Sequence, residues 1–526
     1  MPRIPTKDLR PSELSGAIEH SVYNGLDCAL TLEIFNVLEE QVLQSNDPTV
    51  SKIYSFTRGM QGPALDMMLR GFKIDQYQRR VAISALQQRK AKCEVVLDRL
   101  AKVVWGKGLN PGSPLQMKNF FYHAPDGLRL PEQFKIEKGQ RKVSTNRECL
   151  EKLQAYFYAV PIINAVLAIR DATKKLGVLT TEVDRDGRLR TSYNVAGTET
   201  GRWSSSGNAF GGGTNLQNIT PELRRMFVSD KGKKLCYLDL EQAESFVVGL
   251  LMWMVTGDSS YLDACESGDL HTGTCKLVWP TLAWTGDKSA DKKIAEQIFY
   301  RGYSYRDMAK RGGHGTNYYG TPPTMARHLK VERQLMEDFQ GRYFGAYPGL
   351  GGPAGYGPKR LTWHKWTAQQ LSFHQVLTTP LGRRRHFFGR PNDDATLREA
   401  IAYVPQSVVG DLLNYILWKF YNWREVELLA QIHDAIIFQY PEDQDQAILS
   451  KALPLARIPL TMESIVEPGK FRTITIPSEC KIGWNWADET IKTSLGKKIK
   501  NPDGLIKWTG KPDERRRLEG LARIVS

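Results

Sequence analysis

The sequence predicts an α+β fold in which a β-hairpin and the end of a second strand segment each carry a carboxylate. Residues 428–440 have two short apolar runs on either side of a His-Asp pair, which is the pattern of a β-hairpin. Residues 233–254 begin with an apolar run of strand formers and continue with apolar residues at helical spacing, so a strand passes into an amphipathic helix. Helix starts are predicted where Ser113-Pro114 fits an N-cap before proline, and where Thr145 and Glu148 have capping-box spacing.

Two carboxylates lie at the ends of these predicted strands. Asp434 occupies the turn of the hairpin, and a buried Asp is uncommon unless it is paired or binds a metal ion. Asp239 ends the earlier strand beside a helix start, where the Leu240 carbonyl adds a further oxygen. Divalent cations such as Mg²⁺ prefer ligands of this kind. A His-Asp pair alone is usually an ordinary turn, so the prediction depends on the other segments.

A basic helix face is predicted between these two carboxylates in the chain. Arg306 and Lys310 are four residues apart and therefore lie on one face of a helix. Glycines and aromatic residues follow, as far as Gly320. Two cations on one face suit a triphosphate, and an aromatic residue at the helix end suits a stacked base.

These three segments, in this order, resemble motifs A, B and C of the family A DNA polymerases, the group of bacterial DNA polymerase I and its phage relatives. Other segments also resemble motifs of that family, and the resemblance covers roughly residues 20–490. They are LNPGSPLQMKNFF at 109–121, TETGRWSS at 198–205, TNLQNI at 214–219, DLHTGT at 269–274, Tyr-Pro-Gly at 347–349, TPLGRRR at 379–385, the helix with Arg398, Gln406 and Asp411, and GWNW at 483–486.

The resemblance implies a right-hand polymerase fold with an antiparallel palm sheet, helical fingers and a helical thumb. It implies an enzyme that extends a primer 3′ end with deoxynucleoside triphosphates on a DNA template. Two Mg²⁺ ions, with Mn²⁺ as an alternative, would be held by Asp239, Asp434 and the Leu240 carbonyl, and the two aspartates would be catalytic. The implied partners are primer–template DNA and the deoxynucleotide.

The resemblance also implies contacts to nucleotide and DNA. Arg306 and Lys310 match the triphosphate-binding pair, and Tyr318 matches the aromatic residue at the helix end. Glu244 matches the residue that selects the sugar, by crowding a ribose 2′-hydroxyl near Tyr318. Further contacts to the incoming nucleotide are expected at Gln242, His271 and His314. Contacts to primer and template are expected at Arg202, Asn215, Gln217, Arg398, Gln406 and His433.

Several positions depart from the family pattern. His314 stands where Phe or Tyr is usual, Ala402 where an Asn is usual, and Ala435 where a Glu commonly follows the motif C aspartate. None of these departures removes the two aspartates. They indicate a divergent branch of phage type that replicates phage DNA.

The resemblance divides the chain into the parts of a polymerase. Residues 1–48 would be the remnant C-terminal helix of a 3′–5′ exonuclease domain, whose third motif Tyr23 and Asp27 resemble. That helix is expected to pack on the palm, so no proofreading is expected from this chain alone; in the alternative, a separate polypeptide supplies the rest of a proofreading site. The other parts are 49–75 as palm entry, 76–180 as thumb, 181–250 as palm, 251–395 as fingers, 396–490 as palm, and 491–526 as a basic C-terminal tail, expected to be a solvated extension.

Bulk properties agree with a nucleic-acid enzyme. The 526 residues can bury several cores, and a net charge of +15 favours a polyanionic partner. The seven cysteines include no CxxC pair, which suits packing in a reducing compartment. No apolar stretch of 18 residues and no signal peptide are present, so we expect no membrane role and a location in the cytoplasm of a phage-infected host. A helicase or a processivity factor are further expected partners.

Three alternatives remain open. A single-subunit RNA polymerase of phage type shares the palm, but Glu244 and the thumb motif argue against it. Reverse transcription is compatible with the palm chemistry, which is indifferent to the template sugar. An inactive nucleic-acid clamp would be expected to lose Asp239, Asp434, Arg306 or Lys310 first, and all four are present.

Overall fold

The computed structural model describes residues 16–43, 48–137, 140–207, 212–300, 302–352, 361–492, 498–515 and 517. The Pro-rich N-terminal arm and the last residues of the C-terminal tail lie outside this range. Among the described residues, no helix combines the length and apolar character needed to cross a membrane.

The α-helices, numbered in chain order over the described residues, are α1 Gly16–Leu43, α2 Pro48–Gly59, α3 Gln61–Arg70, α4 Gln76–Trp105, α5 Pro114–Lys118, α6 Arg147–Lys152, α7 Val160–Leu179, α8 Ala243–Thr256, α9 Ser260–Glu266, α10 Leu270–Val278, α11 Lys288–Ala295, α12 Tyr305–Asn317, α13 Pro322–Leu329, α14 Arg333–Ala346, α15 Trp363–His374, α16 Asp394–Asn422 and α17 Asp445–Leu455.

The strands, numbered in the same way, are β1 Phe72–Ile74, β2 Phe134–Glu137, β3 Gln140–Val143, β4 Arg188–Leu189, β5 Ser192–Asn194, β6 Ser204–Ser206, β7 Phe227–Val228, β8 Lys233–Leu240, β9 Ile298–Tyr300, β10 Tyr303–Ser304, β11 Val376–Thr378, β12 Arg384–His386, β13 Glu427–Ile432, β14 Ala435–Pro441, β15 Pro459–Glu463, β16 Phe471–Thr475, β17 Ser478–Gly483, β18 Thr490–Lys492, β19 Lys498–Lys500 and β20 Ile506–Lys507.

A five-stranded antiparallel sheet organises one of two compact units, which we call the sheet unit. Its described residues come from Gly62–Leu250, Val409–Thr461 and Phe471–Ser526. The strand order is β13-β14-β8-β17-β20, so the strand predicted from the apolar run before Asp239 lies at the centre. β13 and β14 are the predicted hairpin, and their side chains are buried on both faces because core residues cover the sheet on each side.

Part of the core beneath this sheet is an aromatic cluster built from distant segments. Phe72 of β1 stacks on Trp486 with ring centroids 6.0 Å apart, and Phe227 of β7 meets Trp486 edge-on at 5.4 Å. Leu235 of β8 and Ile437 of β14 belong to the same buried cluster. Such aromatic pairs bury large apolar areas, so this cluster ties β1 and β7 to the central sheet.

The segment predicted as the thumb has a core of its own within the sheet unit. Leu97 and Trp105 of α4 pack in one cluster with Ile163 and Val166 of α7. The predicted N-cap is confirmed, since the Ser113 side chain accepts from the backbone N–H of Gln116. The capping box predicted at Thr145 is wrong. Asn146 caps α6 instead, because its side-chain oxygen accepts from Cys149 N–H. β2 and β3 form a hairpin inside this otherwise helical segment.

The other compact unit, the helical unit, takes its described residues from Met1–Gln61, Leu251–Val408 and Met462–Lys470. Tyr343 of α14 and Tyr347, the residue directly after that helix, are buried in the core of this unit, where their rings meet at 5.0 Å. A Cβ atom at Gly312 of α12 would lie 2.7 Å from the Phe339 ring, so glycine is required for the close approach of α12 to α14.

Helix α1 differs from the expectation of a packed remnant. Between residues 21 and 41 none of its side chains is buried. Tyr23, Leu32 and Ile34 are each more than half exposed. The helix is present as predicted, but within the described residues it does not contribute to a core.

The expectation that the C-terminal tail is a solvated extension is wrong for the part of the tail that packs against the central sheet. β20 adds an edge strand to the central sheet by pairing with β17. Asn501, Asp503 and Leu505 are buried, and the Asp513 backbone N–H donates to the Asp445 carboxylate at 3.0 Å. The segment is basic overall, but the apolar Leu505 and Ile506 and the short polar residues beside them allow it to pack against β17.

Candidate active site

The β13–β14 hairpin places Asp434 at its turn. β13 ends at Ile432 and β14 begins at Ala435, so His433 and Asp434 form the connection, as predicted. A tight hairpin turn needs positive φ to match the twist of its strands, and His433 has a φ of +50°. The turn therefore fixes Asp434 beside the neighbouring strand β8.

Asp239 lies on β8 next to this turn. Its register partner on β14 is Ala435, the residue directly after Asp434. The Leu240 N–H donates to the Asp434 carbonyl oxygen at 3.3 Å. Because the residue after Asp434 lies directly opposite Asp239 and the Asp434 backbone bonds to Leu240, the fold brings together two carboxylates that are distant along the chain. This is the arrangement that the family resemblance implies.

The two carboxylates share a poorly solvated position. Burial, the charge of Asp434 and the charge of Glu479 together raise the pKa of Asp239 to about 7, and Lys481 acts against them. Burial also raises the pKa of Asp434, which the Arg202 charge opposes. Like charges held together at low dielectric cost free energy that a bound cation relieves.

The pair therefore fits a divalent cation, which prefers carboxylate oxygens. Within the described part of the chain there is no group of three or more His, Cys, Asp or Glu side chains arranged around one metal position. A cation at the aspartates would thus need the Leu240 carbonyl, water or substrate oxygens to complete its coordination.

A single guanidinium bridges the site. Arg202 Nη2 donates to Asp434 Oδ1 at 2.9 Å and to Glu244 Oε1 at 2.6 Å. The three side chains are between 18% and 31% exposed, so solvent screens these ion pairs less than surface pairs. The sequence predicts a DNA contact for Arg202 but does not predict this bridge.

A chain of hydrogen bonds that the sequence does not predict lies behind the turn. The Gln431 side chain donates to the His433 carbonyl at 2.6 Å and accepts from Gln217 Nε2 at 2.6 Å. The Tyr193 hydroxyl accepts from Gln431 N–H at 3.1 Å. Buried polar groups that are satisfied in this way hold one conformation. The one sequence feature that could have predicted these hydrogen bonds is Gln431, a polar residue inside the apolar strand 427–432.

Gln242 and Glu244 follow directly after β8. Gln242 has a φ of +55°, and its buried Oε1 has no hydrogen-bond partner among the described residues. Glu244 lies in the first turn of α8. A buried acceptor without a partner is costly, so Gln242 is suited to receive a donor from a ligand.

The predicted triphosphate-binding face lies on α12, in the helical unit. Arg306 donates to Asp269 Oδ1 at 3.1 Å, and Asp269 is the N-cap of α10. Burial, followed by the charges of Arg306 and Lys310, lowers the pKa of His271 to about 4. Arg306 and Lys310 therefore lie near a neutral His271, and Asp269 is an added partner that orients Arg306.

His314 and Tyr318 lie at the C-terminal end of α12. Their rings meet edge-on with centroids 4.9 Å apart, as residues four apart on a helix do. Tyr319 follows with a φ of +63° and ends the helical path. The imidazole thus stands beside the predicted stacking residue.

The residues predicted to contact DNA are divided between the two units. Asn215 and Gln217 lie at a short 3₁₀-helix in the sheet unit, which also holds Arg202 and His433. Arg398 and Gln406 lie on α16 at positions that share one helix face with Ala402.

The sequence comparison identifies one family. The family model described as DNA polymerase family A matches residues 82–488, which is more than half of the chain. All residues predicted for the site fall inside that range, whereas β19 and β20 lie beyond it.

The relatives are bacterial polymerases of about twice this length. The thermostable DNA polymerase I of Thermus aquaticus is 26% identical over 424 residues, which are 76% of this chain and 45% of that protein. DNA polymerase I of Chloroflexus aurantiacus is 26% identical over 504 residues, covering 90% of this chain and 47% of that protein. The chain thus spans about half the length of the curated relatives it matches.

A solved structure shares the fold. The POL domain of Pol1 from M. smegmatis, in complex with DNA primer-template and dNTP, superposes with a TM-score of 0.61 at 21% identity. The superposition covers 80% of this chain and 69% of that chain. The predicted α+β fold class is therefore confirmed.

Proposed function

The chain belongs to DNA polymerase family A, and we propose that it is a template-directed DNA polymerase that extends a primer 3′ end with deoxynucleoside triphosphates. The observation that carries the proposal is the adjacency of Asp239, on β8, and Asp434, at the neighbouring β13–β14 turn, both of them half-buried. Nucleotidyl transfer builds negative charge on the attacking and leaving oxygens, so a site for it needs carboxylates that hold cations at that point.

The cations proposed are two Mg²⁺ ions, with Mn²⁺ as an alternative. Asp239, Asp434 and the Leu240 carbonyl would hold them, because Asp239 and Leu240 end β8 beside the turn that carries Asp434. Bound divalent ions supply stabilisation of charge on the attacking and leaving oxygens of an in-line displacement. Asp239 and Asp434 must be ionised for this role.

The side chains of α12 and α10 would bind the nucleotide. Arg306 and Lys310 present two cations to the triphosphate, and Asp269 holds the Arg306 guanidinium in place. A neutral His271 adds a hydrogen bond without adding a third charge. His314 and Tyr318 would flank the sugar and base, and Gln242 would add a polar contact.

Primer and template would be bound by Arg202, Asn215, Gln217, Arg398, Gln406 and His433. Polar side chains in the minor groove can check pair geometry without reading sequence, because its acceptors are shared by all pairs. The net charge of +15 supports a largely electrostatic affinity for DNA. We assign 76–180 to the thumb, 251–395 to the fingers and the remaining matched segments to the palm.

A primer-extension assay tests the function. We expect the purified protein with Mg²⁺ to extend a DNA primer on a DNA template with deoxynucleotides. Asp239→Asn and Asp434→Asn should each lower the extension rate by roughly a hundredfold or more, while the Kd for primer–template changes little. The matched control is Asp443→Asn, an exposed aspartate after β14 in the same unit. Extension by Asp239→Asn at the rate of this control, or no extension by the natural chain, would refute the proposal.

We also propose a setting for this activity. The departures at His314, Ala402 and Ala435 support a phage-type branch that replicates phage DNA in the cytoplasm of the infected host, with a helicase or processivity factor as partner. The exposed apolar side chains of α1 support a docking role for the helix that bears Tyr23 and Asp27, with a separate exonuclease polypeptide as its partner. This chain alone should leave a mismatched primer end intact. Metal-dependent degradation that Asp27→Ala abolishes would contradict the proposed partner.

A further inference from the structure

Asp239 has a different neighbour on each side of its strand. Its register partner is Ala435 on β14 and Glu479 on β17. Residues directly opposite each other in antiparallel strands project from the same face of the sheet, with Cβ atoms about 5 Å apart. Ala435 offers only a methyl group to this face. Of the two partners, therefore, Glu479 alone presents a carboxylate beside Asp239.

Glu479 is held in place by two lysines. Lys507 Nζ lies 2.8 Å from Glu479 Oε2, and Lys481 Nζ lies 4.0 Å from Oε1. The Glu479 side chain is 19% exposed, so it remains within reach of water. Lys507 belongs to β20, which the C-terminal segment adds to the sheet beyond the residues matched by the family model. Strand β20, which lies outside the residues matched by the family model, thus fixes an acidic side chain next to Asp239.

We propose that Glu479, fixed by Lys507, is a positioning residue for the divalent cation held by Asp239 and Asp434. Its carboxylate accepts hydrogen bonds from water bound to that cation and so orients the hydrated ion. This inference rests on the proposed function, which requires a divalent cation at the two aspartates. On this proposal the acidic group beside Asp239 comes from β17, because the residue opposite Asp239 on β14 is Ala435.

An action through water fits the contacts better than direct ligation. Lys507 occupies one carboxylate oxygen of Glu479, and the described residues contain no three-residue cluster of metal-binding side chains. Carboxylates that contact metal ligands or metal-bound water typically change metal affinity by about 10- to 100-fold when they are removed. A substantial effect on cation binding is therefore expected without a bond from Glu479 to the metal.

A purely structural role makes a different prediction. Lys507 is 62% exposed, and ion pairs with such exposure contribute little to stability. If Glu479 only joined β17 to β20, its removal would change the thermal midpoint slightly and leave cation affinity unchanged. Cation affinity measured without DNA or nucleotide separates the two roles.

The experiment measures Mn²⁺ binding to the full chain by electron paramagnetic resonance. We expect Glu479→Gln to weaken Mn²⁺ binding by about tenfold and Glu479→Asp to weaken it less. The matched control is Glu425→Gln, since Glu425 also pairs with a lysine, at 3.2 Å, but precedes β13 at the opposite end from the Asp434 turn. A Glu479→Gln affinity equal to that of Glu425→Gln would overturn the inference.

Moving the carboxylate across Asp239 is a second test. The double variant Glu479→Gln/Ala435→Glu restores an acid on the other side of Asp239 and should return Mn²⁺ affinity to within about threefold of the natural protein. Circular dichroism checks the fold, because Ala435 is fully buried. If this variant does not fold, the comparison of Glu479→Gln with Glu425→Gln decides.

The outcomes distinguish this inference from the proposed function. Mn²⁺ binding that depends on Glu479 in a protein that extends no primer would refute the polymerase proposal and leave the cation site standing. Normal primer extension with Mn²⁺ binding indifferent to Glu479 would overturn the inference alone.

Discussion

The guanidinium of Arg202 lies 2.9 Å from Asp434 Oδ1, at one of the two carboxylates that we assign to cation binding. The same nitrogen also bonds Glu244. Arg202 therefore acts as a counter-ion within the protein, and a divalent cation at Asp434 would compete with it for the Oδ1 atom. The ion pair lowers the electrostatic cost of holding Asp434 ionised while no cation is bound.

Removal of this counter-ion should strengthen cation binding. We expect Arg202→Ala to bind Mn²⁺ roughly three- to tenfold more tightly in the absence of DNA, because the competing positive charge is lost. Primer extension should nevertheless fall, since Arg202 is also proposed to contact DNA. The control is Arg99→Ala, an exposed arginine of α4. Unchanged or weaker Mn²⁺ binding by Arg202→Ala would show that the bridge does not compete with cations.

The stability of the metal-free protein should depend on pH through Asp239. Its pKa is raised from 3.8 to about 7 in the folded protein. The folded state thus binds this proton more tightly than the unfolded chain, so stability falls as pH rises from about 4 to about 7 and is constant above that.

Asp239→Asn removes the free-energy cost of an ionised Asp239 in the folded protein, so it tests the direction in which stability changes with pH. In buffer with a chelator, it should raise the thermal midpoint by roughly 2–4 °C at pH 8 and have little effect at pH 4.5, where Asp239 is already protonated. The exposed control Asp443→Asn should show no such difference between the two pH values. An equal shift from Asp239→Asn at both pH values would contradict the raised pKa.

The local pattern of the sequence was enough to predict the elements that carry Asp239 and Asp434. Apolar runs bounded by a His-Asp pair predict the hairpin, and a change from strand to helical spacing predicts β8 and α8. These features are local, because each depends on residues within one or two turns or strands. The pairing of β8 with β14 came from the family resemblance, since their separation along the chain gives no local signal.

The partners of these residues were less predictable because they depend on tertiary position. Arg202 comes from a segment between β5 and β6, and only the folded chain shows that it reaches Asp434. β20 is short and basic, so its sequence gave no strand signal, and its place in the sheet is set by pairing with β17. Capping chemistry was ambiguous by one residue at α6, where Thr145 and Asn146 are both acceptable caps and the backbone selects Asn146.

The hydrogen bonds of Gln431 should matter more for turnover than for stability. Gln431→Leu removes the donor to the His433 carbonyl and one of the two acceptors of the Gln217 amide, which keeps only the Trp203 carbonyl. The turn that holds Asp434 then loses a fixed conformation, and we expect kcat for primer extension to fall about tenfold, because displacement of a catalytic group is costly. Steady-state extension kinetics measure this.

A matched control for Gln431 exists on the partner strand. Gln439 of β14 is also buried, but it lies at the open end of the hairpin, where it donates to Asp230 and Glu427. Gln439→Leu should lower the thermal midpoint at least as much and leave kcat nearly unchanged. Equal losses of kcat in both variants would mean that Gln431 acts only on stability.

Sugar selection should depend on Glu244. Glu244 lies in the first turn of α8, where the Arg202 guanidinium fixes its carboxylate at 2.6 Å. A fixed carboxylate excludes a ribose 2′-hydroxyl by crowding, so Glu244→Ala should incorporate ribonucleotides at least roughly tenfold more readily than the natural protein. Competition between deoxy- and ribonucleotide triphosphates in primer extension measures the ratio. An unchanged ratio would show that Glu244 does not select the sugar.

The C-terminal segment should stabilise the sheet unit through Arg515. Its guanidinium donates to the carbonyls of Gly504 and Ile482 and to the Asp513 carboxylate at 2.9 Å. Asp513 is 2% exposed and also lies 3.5 Å from the buried Lys234. Removal of one partner from a buried charged network leaves the other poorly compensated, so Arg515→Ala should lower the free energy of unfolding by about 2–4 kcal/mol.

Urea unfolding of Arg515→Ala, followed by tryptophan fluorescence, measures this loss, and Lys511→Ala is the control because Lys511 is exposed in the same segment. Arg515→Lys should recover only part of the stability, since an ammonium group cannot donate to three carbonyl and carboxylate positions with the geometry of a guanidinium. Unfolding of Arg515→Ala at the same urea concentration as the control would show that Arg515 does not stabilise the sheet unit.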